Sequence, residues 1–160
     1  IKLRMPGGDA WQFLGKALGA NPTPMAYAEV YTGLQTGAID GQDNPLPNVE
    51  NMKFYEVMKQ IALTSHLVAY DLLVVSSKVW DGLSADEQAA FQKAADDAIN
   101  WSQEQHLARE QKLADFFKEQ GLEIYTPDVA AFRVHAQKMY LDSDLSKDWP
   151  EGMLDRINAM

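Results

Sequence analysis

The chain has 160 residues, 46% of them hydrophobic and 23% charged, which is ordinary for a globular domain with a core of its own. The formal net charge of -9 excludes the basic face that nucleic acid or an anionic membrane surface requires. No apolar run reaches the ~18 residues of a membrane span, and a chain without cysteine has no disulfide or thiolate chemistry.

The first third of the chain alternates between predicted strands and helices, which indicates an α/β unit with a largely parallel sheet. The opening Ile1-Lys2-Leu3-Arg4 reads as the middle of a strand, so we expect that sequence preceding it is missing. Asp9 is the predicted N-cap of the first helix. The predicted elements are a strand over 1–5, a helix over 9–18, an extended segment over 21–24, a helix over 27–35, a strand over 38–41 and a helix over 47–55.

The remainder is dominated by one long predicted helix. Ser84-Ala85-Asp86-Glu87 forms a capping box, and neither proline nor glycine follows before Gly121, so the helix would span about 54 Å. A helix of that length exceeds the diameter of a small domain, so we expect it to lie across two structural units or to stand as a brace. The other predicted elements are strands over 60–68, 70–76 and 122–125, the second of them a buried apolar strand, and helices over 77–83, 128–140 and 150–160.

Enzymatic chemistry leaves little trace in the sequence. No histidine has a metal-ligand spacing, and neither a phosphate-binding glycine loop nor a nucleophile elbow is present. We therefore predict no metal site, no cofactor and no enzyme. Two alternatives stay open, namely a small hydrolase-like enzyme using Asp40, Asp43 and His66, and a helical protein-interaction module built on the long helix.

Three features point to ligand binding. Arg4 ends a strand just before a helix N-terminus, where a guanidinium can receive a carboxylate, although it could also be a surface arginine paired with an acidic neighbour. Gln42-Asp43-Asn44-Pro45 follows another strand and suits hydroxyl or carboxylate recognition, or simply forms a turn. The aromatic residues Trp11, Tyr27 and Tyr31 could line a ligand or belong to the core.

Several of these residues fall within a longer pattern that resembles one family, the solute-binding proteins of TRAP (tripartite ATP-independent periplasmic) transporters. The order and spacing of the matching runs agree along the whole chain. The runs are Lys2-Leu3-Arg4, Pro22-Thr23-Pro24-Met25, Glu29-Val30-Tyr31, Leu34-Gln35-Thr36-Gly37, Asp40-Gly41-Gln42-Asp43-Asn44-Pro45-Leu46, Phe54-Tyr55-Glu56-Val57 and Leu63-Thr64-Ser65-His66.

The resemblance implies a periplasmic-binding-protein-like (type II) two-lobed α/β fold, of which this chain is a C-terminal portion with a long bracing helix. Residues 1–68 would belong to the second lobe, residues 69–109 would cross over to complete the first lobe, and residues 110–160 would return to the second. It also implies a periplasmic protein that captures a small organic acid for the membrane permease subunits of a TRAP transporter.

The resemblance also implies a ligand site. Arg4 falls at the position of the family's main carboxylate-binding arginine, and Asn44 at that of the amide that helps to hold the carboxylate. Tyr27 falls at a position where an aromatic ring packs on the ligand. His66 and Asp43 fall near a polar network behind the ligand.

Trp11 has no fixed counterpart in the family. Its place one turn into the helix after Arg4 predicts a ligand-facing wall, which would favour an aromatic or flat acid. The sequence leaves the identity of the acid open among dicarboxylates, sugar acids, keto acids and aromatic acids.

Overall fold

The computed structural model describes residues 1–68, 70 and 72–159, which form strands, helices and short 3-10 turns. Two parallel sheets are each built from short strands. The strands are β1 Lys2–Met5, β2 Asn21–Pro24, β3 Gly41–Gln42, β4 Gln60–Ala62 and β5 Glu123–Tyr125. The helices are α1 Asp9–Ala17, α2 Val30–Thr36, α3 Leu46–Asn51, α4 Ser77–Trp80, α5 Ala85–Glu119, α6 Val129–Leu141 and α7 Met153–Asn158.

The first sheet has the order β2-β1-β3, with all strands parallel, as the alternating pattern predicts. Arg4 on the central strand lies opposite Thr23 of β2 and Gln42 of β3. The chain first crosses from β1 to one neighbour and then from there to the other, so the winding direction reverses at β1. In open α/β sheets a ligand crevice forms at such a reversal, outside the carboxyl ends of the strands.

The main hydrophobic core lies between α2, α3, the second sheet and the C-terminal part of α5. Phe54 and Phe117 are fully buried in it, and each aromatic side chain buried in this way stabilises the fold by roughly 1.5–3 kcal/mol. The buried members of this core are Val30, Ile39, Val49, Phe54, Ile61, Leu113, Phe117 and Leu122. The core therefore ties the residues before α4 to the end of the long helix.

The long helix α5 begins at the predicted capping box. The Ser84 hydroxyl accepts from the Glu87 amide at 3.3 Å, and the Glu87 carboxylate accepts from the Ser84 amide at 2.8 Å. Arg109 fastens the helix to α3, since it donates to Glu50 Oε2 and to Asn51 Oδ1, both at 2.9 Å. The helix has 35 residues, and its N-terminal half is largely exposed.

The predicted division of the chain at residues 68 and 109, between the segments assigned to the two lobes, stays a prediction.

Several predicted boundaries are wrong for local reasons. Gly8, with φ of 108°, is the N-cap of α1, so Asp9 is instead the first helical residue. The strand predicted over 38–41 forms at Gly41–Gln42, because only those residues pair with β1. The helix predicted over 47–55 is broken by Lys53, whose φ of 54° is left-handed, and a 3-10 turn follows it.

The strands predicted over 60–68 and 70–76 are also corrected. Strand β4 ends at Ala62, where its pairing with β5 ends, and Ser65 has a left-handed φ of 48°. The described residues of the second segment form no strand, and Leu72 and Val74 are 76% and 78% exposed, so the predicted buried apolar strand is wrong. Ala69, Asp71 and Met160, which fall in the predicted crossover, strand and terminal helix, lie outside the described residues.

Candidate carboxylate-binding site

Arg4 is the one charged side chain among the buried residues that the structure describes, with 4% of its surface exposed. Because Arg4 lies on the central strand, β2 and β3 flank it on either side. The guanidinium Nε donates to the backbone carbonyl of Met25, just after β2, at 2.9 Å. This bond holds one edge of the guanidinium and leaves the donors of its terminal nitrogens for another acceptor.

The charge of Arg4 is not matched by an ion pair. As far as the structure describes the chain, Arg4 takes part in none of its salt bridges. Burial lowers the pKa of the guanidinium below its usual value, and the nearby Asp43 and Tyr27 act in the opposite direction. An arginine stays protonated in proteins, and a buried charge is unfavourable until it is paired. Arg4 is therefore a ready receptor for an anion.

Asn44 lies just beyond the carboxyl end of β3, the strand next to Arg4. Its Nδ2 donates to Gln42 Oε1 at 2.5 Å. Gln42 Nε2 in turn lies 3.8 Å from the sulfur of Met58. The predicted amide is thus placed at the same sheet edge as the guanidinium, and its orientation is set by a neighbouring side chain.

Asp43 and His66, which the resemblance places near a polar network, lie close to each other. His66 Nε2 lies 3.3 Å from Asp43 Oδ1, and both side chains are largely buried. Thr64 Oγ1 lies 2.6 Å from His66 Nδ1, across the left-handed Ser65. His66 Nε2 is buried and has no aligned hydrogen-bond partner among the described residues, so the 3.3 Å approach to Asp43 is a close contact between polar groups.

The aromatic candidates fall in different places. Tyr27 lies against the guanidinium, with 5.8 Å between the ring centroid and Arg4 Cζ, and its hydroxyl accepts from Asn48 at 3.2 Å. Tyr31 instead packs against the core and donates to Glu56 at 2.9 Å. None of the hydrogen bonds, ion pairs or ring contacts of the described residues joins Trp11 to Arg4, so its role stays a prediction.

The hydrolase-like grouping of Asp40, Asp43 and His66 is not assembled. Asp40 lies before β3, at the amino edge of the sheet, where its Oδ2 accepts from the Lys2 amide at 2.7 Å. Asp43 follows β3 at the opposite edge. Among residues 1–68, 70 and 72–159, no group of three or more acidic or histidine side chains could hold a metal ion.

Sequence reasoning missed the supporting contacts of the site. The Met25 carbonyl contacts Arg4 and the Met58 sulfur contacts Gln42, but neither a backbone carbonyl nor a methionine side chain carries a chemical signal in a sequence. The contact of the Thr64 hydroxyl with His66 depends on the left-handed Ser65 between them, which residue type does not indicate. The spacing did contain one signal, because Gln42 at the end of β3 and Asn44 are two residues apart. In an extended segment, side chains at that spacing share a face.

A buried cation at a strand reversal, with an amide at the same sheet edge, is an arrangement suited to binding a small anionic group. The family model that matches the chain, over residues 1–145, is DctP, described as bacterial extracellular solute-binding protein, family 7. The chain belongs to this family. The resemblance drawn from the sequence is thereby confirmed.

Individual relatives are similar over nearly the whole chain. The sialic acid-binding periplasmic protein SiaP of Vibrio cholerae is 39% identical over 160 residues, which is 100% of this chain and 49% of SiaP. The 2,3-diketo-L-gulonate-binding periplasmic protein YiaO of Escherichia coli is 40% identical over 138 residues, 86% of this chain and 42% of YiaO. The chain thus spans about half the length of the curated relatives it matches.

Solved structures give the same result. A TRAP periplasmic solute-binding protein of Roseobacter denitrificans with bound 3-deoxy-D-manno-oct-2-ulosonic acid is 60% identical and superposes with a TM-score of 0.95, over 99% of this chain and 52% of that one. A second, from Xanthobacter autotrophicus with bound β-D-galacturonate, is 34% identical with a TM-score of 0.87, over 99% of this chain and 53% of that one. The periplasmic-binding-protein-like α/β fold is thereby confirmed, as part of a two-lobed architecture. No helix in the described part of the chain is long and apolar enough to cross a membrane.

Proposed function

We propose that the protein carrying this chain is the extracytoplasmic solute-binding component of a TRAP transporter and captures a small organic acid by its carboxylate. The single observation that carries the proposal is the buried guanidinium of Arg4, which lacks an ion-pair partner in the described part of the chain. The proposed role is binding rather than catalysis, in the periplasm, with delivery to the membrane permease subunits.

The ligand carboxylate would take the place of the missing partner. The terminal nitrogens of Arg4 can donate two parallel hydrogen bonds to it, and an N–H of Asn44 can donate a further one. Tyr27 covers the guanidinium from one side at 5.8 Å. Exclusion of water on binding strengthens these charge-assisted bonds, because the local dielectric constant falls.

Among organic acids, the polar surroundings favour a sugar acid. Asp43 can accept from ligand hydroxyls, and the unpartnered Nε2 of His66 offers a further polar contact beside it. The relatives with bound 3-deoxy-D-manno-oct-2-ulosonic acid and β-D-galacturonate support the same class. No described contact brings Trp11 to the site, so the structure gives no support for a flat aromatic acid.

Loss of the guanidinium should weaken binding most. We expect Arg4→Ala to weaken the affinity for the bound acid about a hundredfold, since removal of one partner of a buried charge pair typically costs ~2–5 kcal/mol. Arg4→Lys should also be damaging, because an ammonium cannot donate in the forked geometry. Isothermal titration calorimetry of the intact protein with a panel of sugar acids measures both.

The matched control is Arg133→Ala, which removes the same charge from an exposed position on α6. It should leave the affinity unchanged. Equal affinities of the Arg4→Ala variant and the parent protein would refute the assignment of Arg4. Steady conversion of any bound acid into a product would refute the binding-only role.

A further inference from the structure

The amide of Asn44 can help to bind a carboxylate in only one of its two orientations. An amide group has a donor nitrogen at one end and an acceptor oxygen at the other. The nitrogen attracts a carboxylate, whereas the oxygen repels it. Whatever fixes the rotation of this amide therefore decides whether Asn44 favours or opposes the ligand.

Gln42 supplies that constraint. Its Oε1 accepts from Asn44 Nδ2 at 2.5 Å, and the contact is partly buried. A half-turn of the Asn44 amide would bring its own oxygen against Gln42 Oε1, which leaves two acceptors facing each other. Because Nδ2 has a second N–H, the bond to Gln42 leaves one donor for a ligand.

The orientation of the Gln42 amide is in turn fixed by Met58. Its Nε2 lies 3.8 Å from the sulfur of Met58, and a thioether sulfur is only an acceptor. A half-turn of Gln42 would place its oxygen against that sulfur and remove the acceptor from Asn44. The ladder of β1 and β3 pairs Gln42 with Arg4, so both side chains leave the sheet on the same face.

We infer that Gln42 is a positioning residue for carboxylate recognition and acts through Asn44. The thioether of Met58 fixes the orientation of the Gln42 amide, and Gln42 fixes the orientation of the Asn44 amide. Asn44 then presents an N–H donor at the sheet edge where Arg4 lies. The inference rests on the proposed function, because it assigns to Gln42 a share in the binding of the acid. Gln42 need not touch the ligand itself.

A double-mutant cycle tests this role. The intact protein is titrated calorimetrically with four acids that are bound in solved structures of relatives, namely 3-deoxy-D-manno-oct-2-ulosonic acid, β-D-galacturonate, L-fuconate and L-galactonate. The tightest binder becomes the probe. We expect Gln42→Met to weaken the affinity for the probe about tenfold, equivalent to ~1.4 kcal/mol at 25 °C. The double variant with Asn44→Ala should bind no more weakly than Asn44→Ala alone, because Gln42 acts only through that amide.

Multiplicative losses in the double variant would show that Gln42 acts independently of Asn44 and would overturn the inference. A Gln42→Met variant that binds the probe like the parent protein would overturn it as well, while the proposed function would stand. If the parent protein binds neither these four acids nor any dicarboxylate, keto acid or aromatic acid, the proposed function fails and the inference fails with it.

Two further measurements separate positioning from folding. The same change at the exposed Gln35 of α2, Gln35→Met, should leave the affinity unchanged. In the ligand-free protein, the side-chain NH2 signal of Asn44, assigned by its loss in Asn44→Ala, should move in Gln42→Met while the melting temperature stays near that of the parent. An unmoved NH2 signal would mean that the hydrogen bond is absent, which contradicts the inference.

Discussion

At the scale of the residue, the most informative feature is a buried positive charge that forms no salt bridge with the described residues of an acidic chain. The chain has 23 Asp and Glu residues against 14 Lys and Arg, and Arg4 is nevertheless buried outside every described salt bridge. Its bond to the Met25 carbonyl fixes the side chain but does not neutralise it. The unfavourable burial in the free protein is what a bound carboxylate would relieve.

Asp40 shows the opposite case, a carboxylate whose partners are all within the chain. The Lys2 backbone amide donates to it at 2.7 Å, and this hydrogen bond, more than the charge of Lys2, lowers the pKa of Asp40 below its usual value of 3.8. A carboxylate with a lowered pKa in the folded state stabilises the fold above its unfolded pKa. That contribution is lost as the pH falls through the lowered folded pKa.

We therefore expect Asp40→Asn to make the free energy of unfolding less dependent on pH under acidic conditions. The parent protein should lose this contribution to the free energy of unfolding on acidification through the region below pH 3.8, whereas the variant should not. Urea unfolding at a series of pH values measures both curves. Parallel acid limbs would contradict a folded-state role for this carboxylate.

At the scale of the element, the capping box, which pairs two side chains with two backbone amides, was predicted more reliably than a single capping residue such as Asp9 or the extents of strands. The capping box at Ser84 depends on local chemistry and is present as predicted. The left-handed Gly37 that ends α2 is a second local signal. Strand limits depend on partners distant in sequence, which is why the run after Ala62 leaves its sheet where β5 ends. The left-handed Lys53, which divides a predicted helix, has no signal in residue type at all.

The contact between α1 and β2 offers a test of packing. A Cβ atom built on Gly15 would lie 2.7 Å from Pro22 Cβ, so the helix approaches the strand more closely than any larger residue permits. Alanine at this site would gain up to about 1 kcal/mol in helix propensity but strain the contact with a rigid ring. We expect Gly15→Ala to lower the free energy of unfolding by ~1–3 kcal/mol, measured by urea denaturation.

Gly33→Ala is the matched control for this prediction. A Cβ at Gly33 would lie 2.9 Å from the sulfur of Met25, at the flexible end of a side chain that can move away. The loss in unfolding free energy should therefore be smaller than for Gly15→Ala. The reverse order would show that α1 can shift away from β2 at little cost.

At the scale of the whole molecule, the site draws its residues from separate parts of the sequence. The parallel order of β1 and β3 could be expected from the sequence, and it places Arg4 beside the turn that contains Asn44. The approach of His66 to Asp43 joins the end of β4 to the end of β3 across two sheets, which no local pattern predicts. The family resemblance implied only that both residues lie near a polar network behind the ligand, and that role stays a prediction.

The exposed apolar segment after β4 should make the 160-residue chain associate with itself. Leu72 and Val74 are 76% and 78% exposed, and an exposed apolar stretch that forms no strand among the described residues can pair with another chain. We expect sedimentation velocity to show concentration-dependent association that decreases in the Leu72→Ser/Val74→Ser variant. The control Val134→Ser changes a 70% exposed valine on α6, where the helix satisfies its own backbone, and should leave association unchanged. A parent chain that stays monomeric over the whole concentration range would show that this segment does not mediate self-association.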